Sequence, residues 1–335
     1  MLQFIVRRVL LLIPVLIGLT VIMFAIARIL PGDPVSLAAG PNATQAEIEA
    51  LAVEFGLDQP IWVQYGQYVS GLMQGDLGTS LLTRRPVAAD IAAYLPATLE
   101  LVFAAMAIAV LIGIPLGLVT AVWRNRWPDY LSQVAAIGAI SMPRFFLGLL
   151  LQLCFAMWLA WLPLGGRLPI IVIPPPSVTG FLTIDSLIAG DWTAFTTALS
   201  HLAMPAIAMS LSPLATIMRM MRSSTIEVMQ QDYVMTARAL GLPRRQIITK
   251  YVARNAVSAT LTVIGLYFGW LLGGTVLVET VFDWPGLGLY ATKAIISQDM
   301  MPVIGVALVI GLLFVFANLV IDLLYGVINP KVRYS

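Results

Sequence analysis

Six stretches of this chain, at 9–27, 101–123, 145–166, 199–218, 255–278 and 300–321, contain no Asp, Glu, Lys or Arg. Each is long enough to cross a hydrocarbon core of roughly 30 Å, which takes about 20 mostly apolar helical residues. A seventh uncharged run, 168–184, contains Pro174, Pro175 and Pro176 in succession. Lipid-facing backbone must close its own hydrogen bonds, and three prolines prevent that. This run is therefore read as an ordered loop outside the lipid. The reading is an all-α integral membrane protein of six spans.

Composition excludes the alternatives. Of 335 residues, 59% are hydrophobic and 11% are charged, whereas a soluble domain carries about 25% charged residues. Cys154 is the only cysteine and His201 the only histidine, so neither an internal disulfide nor a zinc site of His/Cys ligands can form. A net charge of +2 gives no case for nucleic acid.

Lys and Arg orient the spans. Arg7, Arg8, Arg124, Arg126, Arg219, Arg222, Arg238, Arg244, Arg245, Lys250, Arg254, Lys331 and Arg333 share one side. Arg28, Arg84, Arg85, Arg167 and Lys293 lie on the other, and Arg144 falls within the third span. This asymmetry puts both termini in the cytoplasm. The first run has 19 residues, longer than the 7–15 of a signal-peptide core, so it is read as an uncleaved span. One transmembrane domain, 1–335, then divides into an outer loop at 28–96, core spans two to six within 97–325, and an inner segment at 219–254.

Both large outer segments have the makings of docking surfaces, passive connection being the alternative. The loop at 28–96 opens with the turn Pro31-Gly32-Asp33-Pro34. It continues with a capping box at Thr44 and Glu47, then Ile48, Leu51, Ala52 and Phe55 at helical spacing, then a stop at Gly56. The inner segment is more informative. Ser224 and Glu227 have capping-box spacing and predict a helix start, with Tyr233, Ala237 and Leu240 lining one face. Gly241 followed by Leu242 and Pro243 predicts a stop and a second start, the second helix running on into span five. Ala237, Ala239 and Gly241 are small enough to let another protein approach closely.

Here the residues become recognisable. Asp232-Tyr233-Val234-Met235-Thr236-Ala237-Arg238-Ala239-Leu240-Gly241-Leu242 resembles the coupling-loop signature of permease subunits of bacterial ABC importers. Leu30-Pro31-Gly32-Asp33-Pro34-Val35, Gly56-Leu57-Asp58-Gln59-Pro60 and Gly75-Asp76-Leu77-Gly78-Thr79-Ser80 are similar to the first permease of dipeptide, oligopeptide and nickel importers. So are Glu279-Thr280-Val281-Phe282-Asp283-Trp284-Pro285-Gly286-Leu287-Gly288 and the ending from Asp322 to Tyr334. Two positions depart: Met235 stands where the wider superfamily often has glutamate, and Arg144 follows Ser141-Met142-Pro143 where a small polar residue is commoner.

The resemblance implies a type I importer permease fold, N-in and C-in, with a periplasmic loop after helix 1 and a coupling helix between helices 4 and 5. It implies a paralogous second permease, two P-loop ATPases that carry ATP and Mg, an extracytoplasmic binding protein, and a place in the bacterial inner membrane. Peptides are the implied cargo, with nickel complexes, glutathione or another small solute as alternatives. Asp232, Tyr233, Thr236, Ala237, Ala239, Gly241, Leu242 and Pro243 would dock an ATPase. Ser141, Pro143 and Arg144 would line the path. Asp33, Asp76, Asp283 and Trp284 would meet the binding protein. No catalytic residue, metal or cofactor is expected in this chain itself.

Residue inventory supports the division of labour independently. A phosphate-cradling loop needs Gly-Lys-Ser/Thr, but Lys250, Lys293 and Lys331 follow Thr, Thr and Pro. An ion-coupled carrier usually needs buried titratable relays, which the spans lack. Arg144 has two readings, a path-facing cation or a side chain that snorkels to headgroups. Glu100 and Asp322 are read as structural, and His201 as an ordinary histidine at the lipid interface. Gly113 with Gly117, and Gly269 with Gly273, have the spacing of close helix contacts.

Overall fold

The structure, a computed structural model, describes residues 2–29, 44 and 59–328. Its helices are α1 (Leu2–Ile29), α2 (Ile61–Met73), α3 (Val87–Val122), α4 (Trp127–Ser141), α5 (Arg144–Trp158), α6 (Leu182–Ile188), α7 (Trp192–Val228), α8 (Asp232–Ala239), α9 (Arg244–Gly273), α10 (Thr275–Val281), α11 (Leu287–Ile296) and α12 (Met300–Ile328). α5 ends, and α9 begins, with π-helical turns. Among the described residues the only β-pairing is an isolated bridge between Thr79 and Pro86. The expected turn at 31–34 with Asp33, the helix at 45–56, and the ending 329–335 lie outside the described residues.

Among the described residues, four helices are long and apolar enough to cross a membrane: α3, α7, α9, and α12 over Met300–Ile321. α4 and α5 add a fifth if counted as one span bent by 103°. α1 covers the first charge-free run, with a shorter apolar stretch at Leu10–Ile26.

Helix limits differ from the charge-free windows for identifiable reasons. α3 begins at Val87, upstream of Glu100, which ended the window; both Asp90 and Glu100 are buried and satisfied within the helix. Thr83 Oγ1 and Tyr290 OH donate to Asp90 at 2.6 and 3.1 Å. Thr183 donates to Glu100 through its N–H at 2.8 Å and its hydroxyl at 2.6 Å, and Arg167 pairs with the same carboxylate. The apolar run that leads into the third window is broken at Met142, which is extended; a residue before proline is pushed out of the helical region. α9 stops at Gly273, five residues short of the expected 278.

The helix start expected at Ser224 is absent. α7 continues through Ser224 and Glu227 to Val228, and Ser224 and Thr225 are buried inside it. Packing of the helix overrides the local capping pattern. The true cap lies upstream, where Asp191 accepts from Ala194 N at 2.9 Å.

The main core lies where α3 meets α7, and small residues let the two backbones approach. A Cβ on Gly117 would fall 2.5 Å from Met218 O, and one on Gly113 would fall 3.1 Å from Leu214 O. On α9 the close pair is Gly265 with Gly269, against Ile321 and Phe314 of α12; nothing lies within 4 Å of a Cβ built on Gly273. His201 faces the protein interior and not lipid. It is buried, with Nδ1 at 2.9 Å from Gly165 O and 3.2 Å from Gly166 O, and so holds the chain beyond α5 against α7.

Candidate functional site

Three places gather the residues singled out by sequence. The first is the segment after α7. Met229–Gln231 turn back onto the last turn of α7, and α8 begins with Asp232, an acid at the positive end of the helix dipole. α8 buries Val234 and Ala237 against Ile247 and Val252 of α9, with Leu242 beside them. Tyr233 and Leu240, expected to share one face with Ala237, instead point outward at 42% and 74% exposure while Ala237 is buried.

α8 ends in a Schellman motif. Leu242 N donates to Ala237 O at 3.2 Å and Gly241 N to Arg238 O at 3.0 Å, while Leu242 packs near Ala237. Gly241 has φ +75°, and a Cβ built on it would meet nothing within 4 Å. Backbone conformation therefore requires the glycine, and crowding within the chain does not. Pro243, with its fixed φ, then opens α9. Asp232, Tyr233, Thr236, Ala239, Gly241 and Pro243 form an exposed outer face, Leu242 is half-buried, and Ala237 is spent on the segment's own core.

The second place is the break between α4 and α5. Ser141 and Pro143 are exposed there, and Arg144 is half-buried as the first residue of α5. Its guanidinium lies against Gly274, which separates α9 from α10, and Gly274 leaves room for it. Two helix discontinuities thus meet at one cation. Among the described residues Arg144 makes no hydrogen bond or ion pair. Unwound backbone inside a bundle is tolerated where it is buried in protein or lines a cavity.

The third place is the hairpin of α10 and α11, which explains the motif from Glu279 to Gly288. Glu279 is fully buried and accepts from Thr98 Oγ1 at 2.7 Å, Gly288 N at 2.6 Å and Leu289 N at 3.1 Å. A carboxylate therefore fills the N-terminus of α11. Gly286 and Gly288 are needed because a Cβ on either would strike that carboxylate. Trp284 is 1% exposed and donates from Nε1 to Ala97 O at 2.9 Å. Its indole presents no surface to a partner, which corrects its place among the docking contacts. Asp283 is exposed, in the left-handed region at φ +46°, and shares a cleft with Arg167, Lys293, Tyr94 and Tyr290. Asp76 is exposed and accepts from Gly78 N at 2.8 Å, a local turn contact. No metal cluster of His, Cys, Asp or Glu occurs among the described residues.

Beside this hairpin the proline-rich loop is anchored by Asp185. Burial alone would raise its pKa. Donation from Thr179 N, Thr179 Oγ1 and Gly180 N, at 2.8, 2.7 and 2.9 Å, outweighs that and holds it below the usual carboxylate value. Sequence reading overlooked Asp185 and the Asp129–Arg222 pair. The available signal was an isolated acid beside an apolar run.

Comparison with known proteins agrees with the signature. The model of the binding-protein-dependent transport system inner membrane component matches residues 113–334, and that of its N-terminal region matches 1–102. The chain belongs to this family. The chain is thus a permease subunit, and ATP hydrolysis falls to other subunits of such transport systems. A probable D,D-dipeptide transport system permease of Escherichia coli K12 is 46% identical over 318 residues, covering 95% of this chain and 94% of its own. A dipeptide transport system permease of Alkalihalophilus pseudofirmus is 44% identical over 338 residues, and a glutathione transport system permease of Escherichia coli O6:H1 is 39% identical over 335, both covering 100% of each chain.

Proposed function

We propose that this chain imports small peptides by alternating access, as one permease of a heterodimer driven by two P-loop ATPases. ATP and Mg bind to those ATPases, and an extracytoplasmic binding protein delivers the peptide. The chain crosses the bacterial inner membrane six times, with 28–96 outside and 219–254 in the cytoplasm. The observation that carries this reading is the exposed outer face of α8, set by a Schellman turn between two membrane-length helices. Such a face is positioned to receive an ATPase and pass its movement to α7 and α9. The full-length likeness to dipeptide permeases favours peptides over nickel complexes, and the glutathione relative supplies the second reading.

At the meeting of the two helix breaks, Arg144 faces the path and receives the carboxylate that every free peptide carries. Ser141 and Pro143 line the same break. Asp76 and Asp283 contact the binding protein. Competitive uptake tests this in cells lacking the gene, with and without complementation, using labelled dipeptides, glutathione and nickel in parallel. Gene-dependent dipeptide entry, weakened by Arg144→Gln and retained in part by Arg144→Lys, is the expected result. Dipeptide entry that ignores the gene overturns the substrate assignment. Entry that depends on the gene but not on Arg144 overturns the carboxylate contact.

A further inference from the structure

We propose that Asp129 and Arg222 form a rigid strut that makes α4 follow the coupling segment during transport. The inference rests on the reading of Asp232–Pro243 as an ATPase-docking segment. Asp129 lies in the first turn of α4, and its side chain is 1% exposed. Arg222 grips it as a fork, Nε to Oδ1 at 2.6 Å and Nη2 to Oδ2 at 2.8 Å. Asn125 N and Gln133 Nε2 occupy the remaining lone pairs, each at 3.0 Å. A planar, bidentate pair held from four directions permits neither rotation nor sliding.

Its position in the chain gives the pair its use. Arg222 belongs to the last turns of α7, and α7 is unbroken to Val228. Only Met229–Gln231 separate it from α8. A helix transmits displacement along its axis, at about 1.5 Å per residue, without absorbing it. Movement of α8 therefore arrives at Arg222. The other α4–α7 contact is a seam of Ala136 and Ala139 against Ala215 and Met218, apolar and without direction. The ion pair supplies the directional link. At its far end α4 stops at Ser141, and the 103° break separates it from Arg144. The strut thus joins the coupling segment to the helix break that presents Arg144, and Asp129 and Arg222 are positioning residues.

The test uses the complete transporter with its binding protein in proteoliposomes. Cys154→Ser removes the free thiol, and spin labels are placed at Met235→Cys on α8 and Ile137→Cys on α4, both exposed positions. With native Asp129 and Arg222, the distance between the labels stays constant on ATP binding while the Met235 label itself responds. In the neutral pair Asp129→Asn with Arg222→Gln, which keeps hydrogen-bonding capacity and introduces no unpaired buried charge, that distance becomes ATP-dependent. Peptide delivered per ATP then falls about tenfold, the usual size of such a coupling. The charge swap Asp129→Arg with Arg222→Asp regains part of it. If the neutral pair leaves both the distance and the peptide-to-ATP ratio unchanged, or if uptake and ATP hydrolysis fall by one common factor, the strut is refuted. A Met235 label that ignores ATP with the native pair in place refutes the docking reading instead.

Discussion

Gly241 separates two reasons for having a glycine in the proposed coupling segment. Its φ of +75° lies where other L-residues are strained, and among the described residues no atom lies within 4 Å of its absent side chain. A substitution therefore carries only the backbone cost until a partner arrives. That cost is about 1 kcal/mol for alanine and about 2 kcal/mol for valine, and smaller for asparagine, which visits this region most readily. At about 1.4 kcal/mol per factor of ten, alanine reduces the population of the native turn roughly fivefold and valine roughly thirtyfold. Peptide uptake, normalised to the amount of protein in the membrane, should fall in the order Asn, Ala, Val. If Asn is as damaging as Val, crowding against the partner governs the site and the conformational argument fails. Normal uptake by Gly241→Val would refute the docking role altogether.

Glu279→Gln puts an amide NH₂ where the native carboxylate meets the donors of Thr98, Gly288 and Leu289. One donor loses its acceptor at a cost of about 1–3 kcal/mol, so thermal unfolding in detergent should begin at lower temperature; an unchanged midpoint contradicts the assignment. Tyr68, on α2, has its pKa pushed up to about 12, chiefly by burial and then by Tyr65, and among the described residues its hydroxyl has no hydrogen-bond partner. A raised folded-state pKa contributes stability that is complete below the ordinary value near 10 and is lost as pH rises through about 12. Ultraviolet titration of the wild type against Tyr68→Phe should show one tyrosine ionising late, and ionisation at the ordinary pH would show that the hydroxyl is hydrated.

Long helices were legible because lipid and core both demand apolar side chains, so charge-free windows follow them. Their ends were not. A charge stops the window whether or not a distant hydroxyl or guanidinium satisfies it, as Thr183 and Arg167 satisfy Glu100. Conversely, an apolar run hides a break, as at Met142-Pro143, where the signal was a single proline. The Schellman turn was readable from Gly241-Leu242-Pro243 because its cause is local. The orientation of α8 was not, since Ile247 and Val252, which choose its buried face, belong to the next helix. Trp284 shows the same limit: its motif marked it as notable, but only the carbonyl of Ala97, 187 residues earlier, shows why.

That span of sequence bears on how the chain is made. During synthesis α3 and the loop beyond α5 leave the ribosome long before the hairpin of α10 and α11 exists. Thr98 waits 181 residues for Glu279, and Gly166 must wait for the carbonyl of Phe282. Until then the ends of the early helices hold polar groups whose partners have not been translated, and contacts of such separation close slowly. The hairpin acts as a late clasp on helices already in the bilayer. A chain that ends before Glu279 leaves Thr98 and Gly166 without the partners that the hairpin brings.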